Sequence, residues 1–507
     1  MYEDRWHLSD SSPIACQANS DLWQEKRFCS SNQTATQAQP DDALMMAASI
    51  ILSTPRWPSL AGDAAAVQRW RDEIMQLRSL HGAPAQKFDQ VFTSVFAEAR
   101  YLAEHCARSA FDGGMTVAPG AVSRTFVSDD AIPGHLRAAL AAYVQDLESA
   151  PGYKFNWHPN GNGQLLDLVH PAMFSVEYGR TPIARHSDRV GSTAMLPLHL
   201  LASRMRPADE PFLTRLPLLE LSSQKTQWLP TEVRVESNGS VSILSPINGL
   251  NPVWHRQLYV LVAKVFERFV PLLEGLSGLV GSDFVRLSSH SGQSQNTSKA
   301  GPLSFVPPNK PPTPISLRGR NLQLFVKLTT VHLTPDRPQY AAGAWHNEGR
   351  SNEAIVASGI CYYDSENVTD AKLFFRPLNS PSFFSYHPSD MPDDQWMATP
   401  KGRCIAFSNM LRHRVGNFEL VDPKKPGFRR ILVFFLVDPA KRIVSTAHVA
   451  PQQAWWYHVG LALTPLPPEL WQDVVKHVDG TMSVDRAREL RFEAFPPLPR
   501  ATTALFR

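Results

Sequence analysis

The sequence predicts an α+β fold in which a sandwich or barrel of strands is surrounded by a large helical N-terminal part. Three features of the 507 residues predict it: helical periodicity from about residue 41 to 276, strand-type alternation from 321 to 437, and a low-complexity stretch between them.

The elements follow in order. Residues 1–40 are polar, rich in Ser, Gln and Asn, and lack periodicity, which is the composition of a disordered tail. From there Val67, Trp70, Ile74 and Leu77 share one helical face, as do Phe88, Val91, Phe92, Val95, Phe96 and Leu102. Leu136, Leu140, Val144 and Leu147 mark another amphipathic helix, and 253–276 reads as a long buried one. A β-hairpin is expected over 231–244, where Val233 and Val235 alternate up to Asn238-Gly239 and Val241 and Ile243 alternate away. Residues 286–316 are rich in Ser and Gly, then carry six prolines from Pro302 to Pro314, and read as a linker or loop. Beyond it, strands are expected at 321–334, 355–363, 372–375, 403–407 and 429–437. The expected organisation is therefore a tail over 1–40, a mainly helical region over 41–285, a linker over 286–316 and a catalytic barrel over 317–500.

Composition excludes several classes. Fifty basic and 47 acidic residues leave a net charge of +3 with no Lys/Arg block, so no nucleic-acid or anionic-membrane footprint is expected. Five scattered cysteines, Cys16, Cys29, Cys106, Cys361 and Cys404, make neither a disulfide framework nor a CxxC site. The start lacks a signal-peptide pattern, and apolar runs such as 431–437 are too short to span a bilayer. A cytoplasmic protein is expected.

The chemistry lies in the histidines and acids. A facial metal site needs two histidines and one carboxylate on one side of the ion, leaving positions open opposite. Barrels supply it as His-x-Asp/Glu, whose members point the same way on an extended chain, plus a distant histidine. Three such tripeptides occur: His186-Ser-Asp188, His346-Asn-Glu348 and His477-Val-Asp479. About one or two would arise by chance. His477 has no later histidine, and His186 lacks strands before His199. Only His346 is followed by strand-like runs leading to His413, so His346, Glu348 and His413 are the expected metal ligands.

Sixteen residues after His413, Arg429 opens the strand Arg-Arg-Ile-Leu-Val-Phe-Phe-Leu-Val-Asp. A guanidinium suits the distal carboxylate of a cosubstrate. Arg429 and Arg430 are adjacent and face opposite ways, so only one points inside; Arg429 is favoured, with a salt bridge to Asp422 or Asp438 as its alternative use. Histidines 332, 387, 448 and 458 stand singly and read as structural, and Trp345, Tyr362, Tyr363, Phe374, Phe375 and Trp396 read as core or pocket wall.

At these residues the chain resembles a known family. The segments AAGAWHNEGRSNEAIVASGICYYDSENVTDAKLFFR and GRCIAFSNMLRHRVGNFELVDPKKPGFRRILVFFLVDPAKRIVSTAHV, with WHPNGNGQLLDLVHPAMFSVEYGRT upstream, are similar to a large fungal domain-of-unknown-function family, number 4246. The resemblance runs from about Asp41 to near the C-terminus. It implies a double-stranded β-helix (jelly-roll) barrel of the 2-oxoglutarate/Fe(II) oxygenase type, with metal residues on Trp-His-x-Glu-Gly and His-Arg-Val and the cosubstrate arginine on Arg429. Where many members carry Asn-Glu-His, this chain has Asn352-Glu353-Ala354.

The expected function is that of an Fe(II)/2-oxoglutarate-dependent oxygenase using O2 on a small-molecule substrate, with the helical half roofing its pocket. The alternatives are a zinc hydrolase on the same ligands and a non-catalytic jelly-roll binding protein.

Overall fold

In the computed structural model, residues 42–81, 85–110, 115–150, 156–159, 161–178, 180–184, 193–195, 225–280, 304–310, 312–377, 395–458, 466–478 and 480–494 are described. The expected tail, the motif His186-Ser-Asp188, Asp479 and His387 lie outside them, as do residues 286–303 of the expected linker. Residues 304–310 and 312–319 carry no helix or strand, in keeping with their prolines.

The expected helices appear as Ala64–His81, Ala85–His105, Gly134–Ser149 and Arg256–Val280. The expected long strands appear as Arg320–Leu333, Ile355–Glu366, Lys372–Pro377, Cys404–Ser408 and Gly427–Val437. The hairpin forms between Thr231–Val235 and Val241–Ile243, but over a longer loop than a two-residue turn. Only Gly239 takes a positive φ, of 89°, while the Asn238 side chain accepts from the Ser240 amide at 2.9 Å.

Ten strands form the main sheet, all its recorded pairings antiparallel. At its centre Gly427–Val437 lies between Arg320–Leu333 and Ile355–Glu366. A second sheet pairs Lys372–Pro377 with both Gln395–Ala398 and Leu411–Val415. A barrel closed by hydrogen bonds does not form among the described residues; the two sheets meet through side chains instead.

Alternation along the central strands builds two cores. Leu432, Phe434 and Leu436 point one way and join Cys361, Tyr363, Leu324 and Val326 under the helices Gly134–Ser149 and Arg256–Val280. Ile431, Val433 and Phe435 point the other way and join Tyr362, Ile405 and Phe407 against Leu373, Phe375 and Met397 of the second sheet. Helices from Asp42 to His105 extend that second core. Strands from before and after residue 285 share the main sheet. Strands Arg108–Ala110, Met115–Pro119, Thr125–Ser128, Leu165–Val169 and the hairpin all belong to the main sheet. Apart from the expected hairpin, these strands are three to five residues long, too short to show against helical neighbours. The helices Gly134–Ser149 and Arg256–Val280 pack on a face of the main sheet. Among the described residues no helix is long and apolar enough to cross a membrane.

One guanidinium ties three parts together. Arg403, 1% exposed, donates through Nε and Nη2 to Asp129 at 2.6 and 3.0 Å, and through Nη1 to the carbonyls of Ser53 and Ala398 at 2.8 and 2.9 Å. Removing one partner of a buried pair strands the other, at about 3–5 kcal/mol. Asp129→Ala should therefore lower unfolding free energy by roughly that amount in urea titrations, and a loss below about 1 kcal/mol would show that Arg403 is not the staple described.

Candidate metal centre

His346 and Glu348 lie on an extended stretch that adds an edge to the second sheet. The His346 amide donates to the His413 carbonyl at 3.1 Å and the His413 amide returns the bond at 2.8 Å. The Gly343 amide also donates to the Val415 carbonyl at 2.9 Å, one residue out of that register. This two-way pairing sets the rings of His346 and His413 with centroids 4.3 Å apart. Glu348 Oε1 then lies 3.5 Å from His346 Nε2 and 3.4 Å from His413 Nε2. All three expected ligands thus converge on one point.

Neighbouring residues fix their aim. The Nδ1 of His346 lies 2.9 Å from the Ala344 carbonyl, which can only accept, so Nδ1 carries a proton and Nε2 is turned toward Glu348. Asn409, in the turn between two strands, accepts from the Glu348 amide at 3.0 Å and donates to the Glu348 and Ile355 carbonyls at 2.9 and 3.0 Å. Sequence reasoning missed Asn409, because an asparagine in a turn carries no metal signature. Glu353 accepts from the Trp228 and Arg350 amides at 3.0 and 2.5 Å and closes the turn that follows the motif. Burial pushes its carboxyl up to about 7 against those two bonds. Phe407 and Phe375 flank the His413 ring at 4.9 and 6.5 Å. His413 keeps 4% of its side chain accessible and His346 49%, so the centre opens on the His346 side.

The electrostatics suit a cation. Burial raises the Glu348 carboxyl, but the two imidazoles outweigh it and hold it well below its ordinary range. Burial likewise lowers His346, yet Glu348 overcomes this and leaves its pKa raised, whereas burial and the charge of His346 bring His413 down to about 4. A carboxylate whose close cationic partners, among the described residues, are imidazoles alone is a ready divalent site. Two nitrogens and one oxygen on one side form the donor set of a facial triad and leave the other side open.

Arg429 points inward, on the face of Ile431 and Val433, and is 3% exposed. It donates to the carbonyl and hydroxyl of Thr399 and lies 4.3 Å from the Tyr362 ring centre. Neither expected salt bridge forms: Asp422 pairs with Lys425 at 3.3 Å, and Asp438 with Lys441 at 3.9 Å. Among the described residues no carboxylate lies within 4.0 Å of the Arg429 guanidinium. Arg430 faces the helices and pairs with Glu148 and Asp364 at 2.8 and 2.9 Å. Of the aromatics, Tyr362 and Phe375 line the inner side, while Trp345, Phe374 and Trp396 lie under Arg376, Arg414 and Lys372.

A second group was not foreseen. His158, Asp167 and His170 also place ligand atoms within 4.8 Å of one another. Asp167 is already engaged, accepting from Arg491 and from Thr329. A cleft of about 680 Å³ lies beyond Arg491, lined by Asn156, Trp157, Arg488 and Phe492, away from the His346 triad. Convergent donors rather than cleft volume mark the centre.

Since a protonated imidazole cannot ligate, metal must displace the His346 proton. Divalent-metal affinity of the purified chain should rise by about tenfold per pH unit below the raised His346 pKa and level off above it. Titrations from pH 6 to 8.5 check this; a flat profile would remove His346 from the ligand set.

The chain is similar to several solved structures at low levels. IDO from Bacillus thuringiensis matches at 13% identity over 23% of this chain and 46% of its own, with a TM-score of 0.18. An oxidoreductase of the 2OG-Fe(II) oxygenase family from Burkholderia pseudomallei matches at 14% over 24% and 48%, TM-score 0.16. The Fe(II)/(alpha)ketoglutarate-dependent dioxygenase TqaL matches at 12% over 62% and 92%, TM-score 0.24. The chain thus spans about half the length of the first two, and scores this low decide neither its fold nor its chemistry. No curated protein matches it. A family model does, over residues 89–459, and the chain therefore belongs to the family of proteins of unknown function DUF4246.

Proposed function

We propose that this chain is an Fe(II)/2-oxoglutarate-dependent oxygenase that oxidises a small molecule. The observation that carries the reading is the pairing of an open His346–Glu348–His413 triad with a buried Arg429 that has no carboxylate partner among the described residues. A buried guanidinium without an anion is costly, and a carboxylate ligand relieves that cost. A zinc hydrolase has no comparable use for it.

Strand order supports a jelly roll. Counted from Arg320–Leu333, with the two-residue strands Gln339–Tyr340 and Phe418–Glu419 (which pair with each other) left aside and the stretch bridged at His346 taken as the second, the first, third, sixth and eighth extended segments lie in the main sheet, and the second, fourth, fifth and seventh lie on the other. That alternation between two facing sheets is the path of a double-stranded β-helix.

His346 Nε2, His413 Nε2 and a Glu348 oxygen would hold the metal. Fe(II), with 2-oxoglutarate and O2, would supply the oxidising power for C–H hydroxylation. The chain's own contribution is positioning and shielding. Arg429 offers a two-pronged guanidinium to the far carboxylate of the cosubstrate, in place of bonds now made to Thr399. Phe407 and Phe375 keep water from the His413 side, and Asn409 keeps Glu348 from turning away.

Under anaerobic conditions, Fe(II) and 2-oxoglutarate should give the weak visible charge-transfer band of the chelate. His413→Ala should lose it, and Arg429→Gln should need about 10- to 100-fold more 2-oxoglutarate. No band from folded, iron-loaded wild type would overturn the oxygenase reading in favour of a zinc hydrolase or a binding protein.

A further inference from the structure

Arg320–Leu333 carries an inward cation that the proposed reaction does not use. Side chains two apart on a strand share a face, so Phe325, Lys327 and Thr329 point together. Phe325 meets the Trp228 ring edge-on at 5.7 Å, Trp228 meets His170 at 6.1 Å, and His170 lies 5.6 Å from His158. On the other side of Lys327, Thr329 bonds the Leu166 carbonyl at 3.2 Å and the Asp167 carboxylate. Lys327 is thus bracketed by residues that touch the His158–Asp167–His170 group. Its register partner is Val433, on the strand and face of Arg429.

Lys327 is half-buried, and among the described residues no carboxylate lies within 4.0 Å of its ammonium. Its charge reaches both histidine groups, adding to the burial that lowers His158 and His170 and opposing protonation of His346 and His413.

The second histidine group therefore does not suit a metal. Its one carboxylate is held by buried Arg491 and by Thr329, and Lys327 stands beside it. A divalent ion would meet two cations there and no free acid.

Lys327 is a cation facing the core with no carboxylate within 4.0 Å among the described residues, and an interior cation calls for an anion.

We infer that Lys327, with His158 and His170 beside it, forms a second carboxylate-binding wall separate from Arg429, and that the organic substrate carries one carboxylate to it. The assignment of that carboxylate to the substrate rests on the oxygenase reading above; the wall itself does not.

Acetate is the smallest probe of such a wall. Thermal unfolding of the full chain, with Mn(II) and saturating 2-oxoglutarate and again metal-free, is followed against acetate with acetamide and chloride as controls. Wild type and Lys327→Arg should be stabilised by acetate beyond both controls, and Lys327→Met should need about 10-fold more acetate or above. Arg429→Gln should keep the acetate response while losing affinity for 2-oxoglutarate. An acetate effect equal in wild type and folded Lys327→Met would overturn the wall. So would Lys327→Met weakening 2-oxoglutarate as strongly as Arg429→Gln, since the carboxylate would then be the cosubstrate's. If 2-oxoglutarate fails to bind wild type while the Lys327-dependent acetate response persists, the wall stands and the oxygenase reading falls.

Discussion

The register of Gly427–Val437 between its two neighbours is the constraint on which the rest depends. Its residues pair one by one with Arg320–Leu333, from Leu436 opposite Leu324 to Gly427 opposite Leu333. A slip of one residue would send every side chain to the other face. Leu432, Phe434 and Leu436 would leave the helices, and Arg429 would exchange places with Arg430. Two features resist that slip. Both faces of the strand are buried, so neither has solvent to accept a misplaced apolar side chain. Arg430 is also pinned by Glu148 on one helix and Asp364 on the neighbouring strand, partners that Arg429 could reach only by breaking both cores.

That register explains which parts were legible in the sequence. Helices with four apolar positions on one face, such as Leu136 to Leu147, announce themselves because a single period runs through them. The strand 429–437 announces itself by the opposite sign: a continuous apolar run means burial on both faces. The His346–Glu348–His413 set was readable because two ligands are two residues apart and the third ends a visible strand. Leu165–Val169 was not readable, since Leu-Leu-Asp-Leu-Val neither alternates nor runs into a hairpin turn.

The second histidine group was hidden for a different reason. His158 and His170 lie on either side of Leu165–Val169, and nothing in their spacing marks them as neighbours until the chain folds back across Arg320–Leu333. Lys327 was hidden by its surroundings. A lysine in Leu-Phe-Val-Lys-Leu-Thr-Thr reads as the solvated side of an alternating strand. Its register partner Val433 belongs to the core shared with the second sheet, so the lysine faces that core and is half-buried. Tertiary packing, not pattern, turned a surface-type residue inward.

The two histidine groups show how far residue type alone is from function. Each has two imidazoles and one carboxylate with ligand atoms within 4.8 Å. In one, the Glu348 carboxylate pairs among the described residues with histidines alone, and its charge is left for an incoming cation. In the other, Asp167 is consumed by Arg491, and Lys327 adds a further positive charge. The same donor list therefore has opposite preferences, decided by one arginine from a helix over 300 residues along the chain. The helix Val484–Ala494, which carries no catalytic signature of its own, sets the electrostatic sign of a wall beside the centre by delivering Arg491 to Asp167.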